Sequence, residues 1–421
     1  MSGLLQTTLA HAVREVPFYR RRLGRRWERV RGVADLPALP FLTKAQAISQ
    51  QRSLLAGKPG GFVGTISSGT HHSTGELLQV PRSPAEALAT RELLAQTFRH
   101  VKADGWVLEV RAAHHGFSEG AEPGRLVMPW TYTAQALRLF EQLLSRPQPD
   151  GRRVRSVVLG AGALMPLTSW FLSRGIEPRK FGVRAIGTTS FRLSAHWKAL
   201  VEDAWGCRVR DNFSLSELPA PALECDACGF HHWLPPPMVS EVVDPFTREQ
   251  VKRGVGVLVV TTLAPYVTTM PLIRYWTGDL VELGPRCAAA KATGFRPLGR
   301  FEQAIVSQRD GLMISPLKVS DFLEGRPEVA RHAHPLETLG VIPQGDCGAV
   351  KFELTRGPKL RVELRFDPMI FSEAARDLGE ALGAHLLKAR PALRRLERSG
   401  RGELEIVLLR PGSLTKSWVK F

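Results

Sequence analysis

A hydroxyl-rich loop is the first segment whose residue types and spacing could do chemistry. Residues 67–76 read Ser-Ser-Gly-Thr-His-His-Ser-Thr-Gly-Glu and follow a short β-like run. Free N–H groups and hydroxyls in such a loop can surround a phosphate, although an ordinary polar loop is the alternative. No Walker Gly-Lys-Ser/Thr ending is present, which argues against a P-loop nucleotidase. The candidate phosphate ligands are Ser67, Ser68, Gly69, Thr70, Thr74 and Gly75.

Four later segments each present an aromatic or charged residue in a polar context. The residues of interest are Phe213, Glu217, Asp279, Arg300 and Lys420. Each also has a plain alternative, such as a solvated acid, a residue that closes a turn, a surface charge or a frayed terminus. The segments are Asp-Asn-Phe-Ser-Leu-Ser-Glu at 211–217, Pro-Leu-Ile-Arg-Tyr-Trp-Thr-Gly-Asp-Leu at 271–280, Leu-Gly-Arg at 298–300, and Pro-Gly-Ser-Leu at 411–414 with Lys420 beyond it.

Taken together and in order, these segments resemble the motifs of the adenylate-forming enzymes, the acyl-CoA synthetase and ligase superfamily. The loop resembles their Ser-Gly-Thr-Thr-Gly motif, 213–217 their Tyr-Gly-x-Ser/Thr-Glu motif, and 274–280 their Arg-Tyr-x-Thr-x-Asp-Leu motif. Gly-Arg at 299–300 resembles the motif that leads into their small domain. The phenylacetate–CoA ligase branch is indicated by Val-Pro-Phe-Tyr-Arg at 16–20, Leu-Pro-Phe-Leu-Thr-Lys at 39–44 and the ending at 411–414.

The resemblance implies a role for each matching residue. Phe213 would stack on adenine, and Glu217 would help to hold Mg²⁺, a task suited to a carboxylate. Asp279 would accept hydrogen bonds from the ribose, and Arg300 would lie near the ribose at a hinge. Lys420 would stabilise the charge on the α-phosphate and the carboxylate during attack.

The resemblance also implies the reaction, that of an acid–thiol ligase. A carboxylate attacks the α-phosphate of ATP, which gives an acyl-adenylate and pyrophosphate, and a thiol, most often that of CoA, then displaces AMP. The expected substrate is a small aromatic carboxylate, and the expected cofactors are ATP, Mg²⁺ and CoA. Because relatives are often dimers, a homodimer is expected.

The loop departs from the family pattern, and this keeps alternatives open. His71, His72 and Ser73 interrupt the motif, and Glu76 would place an acid beside a triphosphate, which is electrostatically unfavourable. An ATP-independent acyltransferase of the same fold, which moves an aryl acyl group from its CoA thioester to an acyl carrier protein, is therefore the main alternative. A non-catalytic binding protein is the second.

Two further departures concern the acyl pocket. Gly187, Thr188 and Thr189, followed by Ser190, stand where relatives often have Gly-Ala-Glu-Pro, so a pocket acid would be replaced by hydroxyls. His114 and His115 lie where relatives are rich in aromatic residues. These two histidines line the pocket in one interpretation and are plain loop residues in the other.

A Cys-x-x-Cys pair suggests a metal site. Cys225 and Cys228 have a spacing that suits tetrahedral Zn²⁺, and a histidine follows close behind, with His231 the predicted third ligand. The family resemblance implies Cys287 as the fourth ligand, because cysteine-containing segments occupy that region in relatives. His231 is preferred to its neighbour because it aligns with a Leu-His pair of the family. Such an ion would be structural, since no open coordination position is evident. Two ordinary loop cysteines are the alternative.

Composition narrows the class of protein. The 421 residues include 43% hydrophobic and 23% charged residues, which is typical of globular enzymes. The net charge of +17 comes from residues spread along the chain rather than from one patch, so neither a nucleic acid nor a membrane is predicted as a partner. Five cysteines in this length do not make a disulfide framework. A cytoplasmic location is the default expectation.

The elements that must position these residues fall into two regions. Amphipathic periodicity predicts a helix over 4–24, interrupted at Pro17, and Thr43 is a candidate helix cap. Strands then alternate with helices, which indicates an α/β domain with a largely parallel sheet. We predict a large N-terminal α/β domain with mixed sheets over 1–300, and a small mobile C-terminal α+β domain over 301–421. The main predicted elements are strands 61–66, 106–110, 154–159, 239–243, 255–262 and 279–283 and helices 84–100, 134–144 and 195–205 in the first domain, and strands 349–354, 361–366 and 403–409 and helix 372–387 in the second.

Overall fold

A computed structural model describes most of the chain, and two compact units emerge from it. Unit 1 contains residues 1–102, 113–118 and 212–297, and unit 2 contains residues 103–112, 119–211 and 298–421. The predicted domain boundary after residue 300 stays a prediction. No helix in the described part is long and apolar enough to cross a membrane. The described residues are 2–57, 63–66, 78–98, 105–112, 124–190, 192–233, 237–309, 311–343, 347–355, 359–389, 391–398 and 403–414.

The helices follow their sequence signals closely. The N-terminal periodicity gives two helices rather than one, because Pro17 begins the second. Thr43 caps the third helix, where its hydroxyl accepts a hydrogen bond from the backbone N–H of Gln46 at 3.2 Å. The helices are α1 (Ser2–Glu15), α2 (Pro17–Leu23), α3 (Lys44–Ser49), α4 (Pro84–Phe98), α5 (Ala134–Ser145), α6 (Ala161–Ser173), α7 (Ala195–Trp205), α8 (Pro316–Leu323), α9 (Pro335–Thr338), α10 (Ser372–Ala389) and α11 (Pro391–Arg398).

The strands include every one predicted, with small shifts at their ends, and several that were not. Unpredicted strands occur at 125–130, 185–189 and 292–300. The strands are β1 (Leu42–Thr43), β2 (Val63–Ile66), β3 (Gln79–Arg82), β4 (Trp106–Ala112), β5 (Arg125–Trp130), β6 (Val154–Gly160), β7 (Ala185–Thr189), β8 (Val209–Phe213), β9 (Ala222–Glu224), β10 (His231–His232), β11 (Met238–Val243), β12 (Gly254–Thr262), β13 (Tyr275–Cys287), β14 (Ala292–Arg300), β15 (Ile305–Ser307), β16 (Gly311–Ile314), β17 (Phe352–Thr355), β18 (Lys359–Glu363) and β19 (Glu405–Leu409).

Unit 1 is built on an antiparallel sheet. Its strand order is β11-β12-β13-β14-β10-β9, and the last two residues of β8 pair with β9. β1 adds a parallel pairing to β13, and β2 pairs with β3 separately. Both faces of β12 are buried. Leu258 and Val260 belong to the apolar core of unit 1, and Val257 and Val259, on the opposite face, are also fully buried.

Unit 2 contains a parallel sheet whose order is β8-β7-β6-β4-β5. Helices α5, α6 and α7 contribute to the same core as these strands, as expected for crossover helices that cover a parallel sheet. The largest fully buried side chains of this core are Phe140, Phe171 and Trp205. The α/β prediction is confirmed for this part of the chain.

The C-terminal part of unit 2 has its own smaller sheet and core. β18 lies between β17, which is antiparallel to it, and β19, which is parallel. α8, α10 and α11 pack with this sheet around Phe352 and Leu382. The α+β character predicted for the C-terminal segment is therefore confirmed.

Candidate active site

Phe213 ends a strand and is held by other aromatic rings of unit 1. Its backbone pairs with Ala222 of β9. Its ring meets Phe295 edge-on, with centroids 5.3 Å apart, and Trp233 at 6.2 Å. The ring is only partly buried, so one part of it can still meet a ligand. This arrangement suits an aromatic platform, because the neighbouring rings fix the position of Phe213 while part of the residue stays accessible.

Glu217 follows four residues after Phe213 and is the centre of a polar cluster. Its side chain is 7% exposed, and its Oε1 accepts a hydrogen bond from the Tyr275 hydroxyl at 3.1 Å. The Lys44 ammonium lies 3.3 Å from the same oxygen. Because both contacts involve Oε1, the second oxygen Oε2 is the better donor for a hard cation.

Backbone pairing brings Lys44 and Tyr275 to Glu217. The parallel register of β1 with β13 sets Leu42 opposite Tyr275 and Thr43 opposite Trp276. Lys44 follows directly as the first residue of α3. Sequence analysis gave neither Lys44 nor Tyr275 a role, although both stand inside motifs that it quoted. The missing information was the register of a two-residue strand.

Arg82 also approaches this cluster and was missed. It is the last residue of β3, and its Nη2 donates to the Glu217 carbonyl at 2.8 Å. Burial lowers the pKa of the Arg82 guanidinium, and the nearby Glu86 and Glu217 carboxylates partly offset that effect. Burial alone would raise the pKa of Glu86, but hydrogen bonds from Thr269 and from backbone N–H groups hold it below its ordinary value. Cationic side chains thus accumulate around Glu217.

A β-bulge sets the position of Asp279. From Trp276 to Leu280, β13 advances four residues while its partner strand advances two. Gly278, inside the bulge, has φ +79°, a conformation that favours glycine. The Asp279 N–H donates to the Thr277 hydroxyl at 3.0 Å. Bulges of this kind redirect a side chain, and here the redirected residue is the predicted ribose contact.

Arg300 is a predicted site residue of unit 2. It ends β14 and is partly buried, and Gly299 before it has φ +103°. A Cβ on Gly299 would lie 3.1 Å from Pro316 Cγ, so both conformation and space favour glycine at this position. This accounts for the glycine of the Gly-Arg motif in structural terms.

Gly187, Thr188 and Thr189 lie on β7, inside the parallel sheet. Thr188 is fully buried, and its hydroxyl donates to the Arg210 carbonyl at 3.3 Å. Gly187 and Thr189 are partly exposed. Of the three predicted pocket residues, these two are the ones that can meet a ligand, because the hydroxyl of Thr188 is used internally.

The remaining predicted site residues lie outside the described residues. This applies to the phosphate loop, the two pocket histidines and the C-terminal lysine. They are Ser67, Ser68, Gly69, Thr70, Thr74, Gly75, His114, His115 and Lys420.

A cluster of three thiols and one imidazole is present in unit 1. Cys225, Cys228, His232 and Cys287 place one ligand atom each within 4.8 Å of one another. The Cys225 and Cys287 sulfurs are 3.9 Å apart, and Cys228 Sγ is 3.2 Å from His232 Nε2. Ligand atoms at about 2.0–2.3 Å from a tetrahedral zinc ion are separated by roughly 3.5–3.8 Å, so the cluster fits that ion.

The predicted histidine ligand was wrong. His232 belongs to the cluster, whereas His231 stacks on Phe295 with ring centroids 5.9 Å apart. The two are neighbours on β10, and successive strand residues point to opposite faces. Gly294 makes room for the His232 ring, since a Cβ at that position would lie 2.7 Å from its Nε2.

The backbone around the cluster is arranged as a metal-binding turn. The N–H groups of Cys228 and Gly229 donate to the Cys225 carbonyl at 3.3 and 2.7 Å. Burial raises the pKa of the Cys228 thiol to about 11, and the backbone N–H of Phe230 partly offsets that effect. The backbone N–H of Ala290 holds the pKa of the Cys287 thiol below its ordinary value.

Two phenylacetate–CoA ligases are similar to this chain. No protein-family model matches the chain. It is 28% identical over 353 residues to the phenylacetate–CoA ligase of Thermus thermophilus, covering 78% of this chain and 75% of that protein. It is 24% identical over 386 residues to the phenylacetate–CoA ligase of Aromatoleum evansii, covering 85% and 81%.

Solved structures share the fold. An open conformation of 2-hydroxyisobutyryl-CoA ligase, in complex with 2-HIB-AMP and CoA, matches with a TM-score of 0.65 and 17% identity, over 99% of this chain and 88% of that one. A benzoate–CoA ligase from Burkholderia xenovorans LB400 matches with a TM-score of 0.51 and 16% identity, over 86% and 68%.

Proposed function

We propose that this chain, a relative of the phenylacetate–CoA ligases with the fold of the adenylate-forming enzymes, activates a carboxylic acid with ATP and transfers it to CoA. The observation that carries the proposal is the hydrogen bond from Tyr275 to Glu217 at 3.1 Å. These residues belong to two family motifs 58 positions apart, and the fold joins them at one carboxylate. A protein that kept this fold but lost its active site would have no reason to keep this contact between two separate motifs.

The residues of unit 1 then have distinct tasks in the first half-reaction. Phe213 stacks on adenine, and Asp279 accepts hydrogen bonds from the ribose hydroxyls. Glu217, through Oε2, is suited to hold Mg²⁺, which when bound neutralises phosphate charge. Lys44 lies next to that carboxylate, and its cation favours the polyphosphate electrostatically while it holds Glu217 in place.

Other residues are proposed to act at the ribose, at the α-phosphate and in the acyl pocket. Arg300 is proposed to lie near the ribose at the hinge, and Lys420 to stabilise charge on the α-phosphate as the carboxylate attacks. Gly187 and Thr189 are proposed to line the acyl pocket with His114 and His115. The substrate class proposed is a small aromatic carboxylate, because the relatives are named for phenylacetate.

An acyltransferase that uses a carrier protein gains no support from the named relatives, which are CoA ligases. A homodimer, a carrier-protein thiol as acceptor and a cytoplasmic location stay predictions.

We also propose that Cys225, Cys228, His232 and Cys287 bind one structural zinc ion. Metal analysis of the purified chain should find about one zinc per chain, and Cys228→Ser should lose it. A metal-free wild-type protein that takes up no added Zn²⁺ would end this proposal.

The enzymatic proposal is tested by pyrophosphate release from ATP across a panel of aryl acids, with and without CoA. Release should depend on the acid, and AMP should form with the thioester. Lys420→Ala should reduce release strongly, while Lys359→Ala, an exposed lysine of β18, should not. Acyl-CoA consumption without ATP turnover, in the presence of a carrier protein, would instead establish the transferase.

A further inference from the structure

The hairpin that contains the metal cluster is too short to be stable by its own pairing. β9 has three residues and β10 has two. Isolated two-stranded hairpins are marginal in water even when longer. Among the described residues, one pair with β14, between His231 and Phe295, and two pairs with β8 connect this hairpin to the rest of the sheet. The turn from Cys225 to Cys228 lies beside Cys287, at the end of β13. It therefore needs a further stabilising interaction besides strand pairing.

This hairpin is also the structure on which Phe213 rests. Ala222, the first residue of β9, lies opposite Phe213. Leu223 lies between Asn212 on one side and His232 on the other. Cys225 follows β9 directly, so only two residues, Leu223 and Glu224, separate a cluster ligand from the backbone partner of Phe213.

Side chains make a second connection. His231 is adjacent to the ligand His232 and stacks on Phe295 with an interplanar angle of 26°. Phe295 in turn meets the Phe213 ring at 86°. Trp233, on the other side of His232, is 5.5 Å from Phe295 and 6.2 Å from Phe213 between centroids. Both neighbours of the ligand thus pack into the aromatic group that supports Phe213.

We infer that zinc bound by Cys225, Cys228, His232 and Cys287 positions the adenine-stacking ring of Phe213, and that loss of the metal weakens ATP binding without removing the catalytic groups. The role of Phe213 rests on the proposed function, whereas the effect of the metal on Phe213 does not. The ion supplies folding free energy where the short hairpin has little, because a structural site forms only when the strands are in register. The cluster residues are positioning residues.

The first test measures order directly in the full chain. Hydrogen–deuterium exchange is followed in peptides covering 209–216 and 220–234 for the zinc-loaded protein, for the protein stripped with a chelator, and after Zn²⁺ is added back. Stripping should speed exchange at Phe213 and Ala222, and add-back should restore protection. Equal exchange in a stripped protein shown to be metal-free overturns the inference, whatever the chain catalyses.

The second test connects order to nucleotide binding. Calorimetric titration with ATP should show about tenfold weaker binding for Cys228→Ser than for wild type, as expected for a displaced stacking contact. Cys207→Ser, which removes a partly buried thiol of unit 2, should bind like wild type. Where Cys228→Ser does not fold, the stripped wild-type protein takes its place. Wild type that binds ATP equally well with and without zinc overturns the inference, while wild type that never binds ATP refutes the proposed function and leaves the exchange experiment as the deciding one.

Discussion

Two buried cation–carboxylate pairs of unit 1 differ in how completely their carboxylate oxygens are bonded. They are Arg274 with Glu241 and Lys44 with Glu217. The side chains of the first pair are 3% and 1% exposed, and those of the second are 13% and 7% exposed. Their hydrogen bonds separate them more clearly than burial does.

The Arg274–Glu241 pair is closed. Arg274 donates from Nε and Nη2 to the two carboxylate oxygens at 3.1 and 3.0 Å. Its Nη1 donates to the carbonyls of Leu39 and Pro37 at 2.6 and 3.2 Å. Each guanidinium nitrogen and both carboxylate oxygens are hydrogen-bonded, so we assign this pair to the fold.

The Lys44–Glu217 pair is open. One ammonium contact at 3.3 Å and one hydroxyl at 3.1 Å both fall on the same carboxylate oxygen. Among the residues that the structure describes, Glu217 Oε2 accepts no hydrogen bond. Stability alone explains such a buried carboxylate poorly, because burying charge is costly unless its bonding is complete. The difference teaches that incomplete bonding of the carboxylate, rather than burial, distinguishes the pair to which we propose a function.

The largest expected effect is on stability and concerns the closed pair. Arg274→Ala leaves Glu241 buried without its cation, which should lower the free energy of unfolding by about 3–5 kcal/mol. Urea unfolding followed by circular dichroism measures it. Arg296→Ala, which breaks a half-exposed pair with Glu282, is the control and should change stability by less than about 1 kcal/mol. Equal effects of the two substitutions would break the comparison.

The next effect is on catalysis and concerns the open pair. Glu217→Gln keeps an acceptor for Tyr275 but removes the charge, so pyrophosphate release should fall by about 10²–10³-fold. Its free energy of unfolding should change by only about 1 kcal/mol. Glu241→Gln should show the reverse, a less stable protein whose folded fraction keeps its turnover. The assignment fails if Glu217→Gln unfolds the protein and Glu241→Gln inactivates it.

Sequence reasoning predicted the elements whose pattern is local. Helix α7 was predicted with its observed ends, since Ser194 and Gly206 cap an amphipathic run. Helix α6 was missed, because it is buried on nearly all sides and contains Pro166, so it has neither a polar face nor an unbroken pattern. Strand β5 was missed in a similar way, since its alternation is weak.

The residues of the proposed site that belong to sequence motifs could be named from the sequence. Phe213, Glu217 and Asp279 were named from sequence and lie in one unit, while Lys44 was overlooked because only tertiary pairing of β1 with β13 brings it there. The error at His231 has a different origin. Adjacent strand residues face opposite sides, and the choice between them depends on the space left by Gly294, which is distant in sequence.

A third, smaller effect concerns Glu363, a buried carboxylate that accepts hydrogen bonds from the C-terminal residues Gly412 and Leu414. Glu363 is 1% exposed and accepts hydrogen bonds from Lys351 at 2.8 Å and from the N–H groups of Gly412 and Leu414 at 3.1 and 2.6 Å. Leu414 precedes Lys420 by six residues. Glu363→Gln should lower turnover by about tenfold through the loss of charge-assisted bonds that orient the segment. Glu405→Gln, in an exposed pair with Lys359, is the control.

The pH dependence of Glu363 gives a second measurement. Burial alone would raise its pKa, but the Lys351 ammonium and the two N–H groups hold it below the ordinary value. Its contribution to stability is therefore fully present above about pH 4.3, the ordinary glutamate value, and is lost as the pH falls through the lowered folded value. Unfolding free energies of wild type and Glu363→Gln should converge in acid. A difference that is constant with pH would show that the charge is not what stabilises the segment.

The smallest expected effect concerns two neighbouring hydroxyls on β7. One of them is hydrogen-bonded inside the protein, and the other is partly exposed. Thr188 is fully buried and bonded to a backbone carbonyl, so Thr188→Val should cost about 1 kcal/mol of stability and leave the choice of acid unchanged. Thr189 is partly exposed, so Thr189→Val should leave stability nearly unchanged but shift KM for the aryl acid by roughly two- to tenfold. KM across the acid panel measures the second effect and thermal unfolding the first. If Thr188→Val alters acid preference while Thr189→Val does not, the pocket faces the other side of the strand, and incomplete bonding is not a sufficient guide to function in this fold.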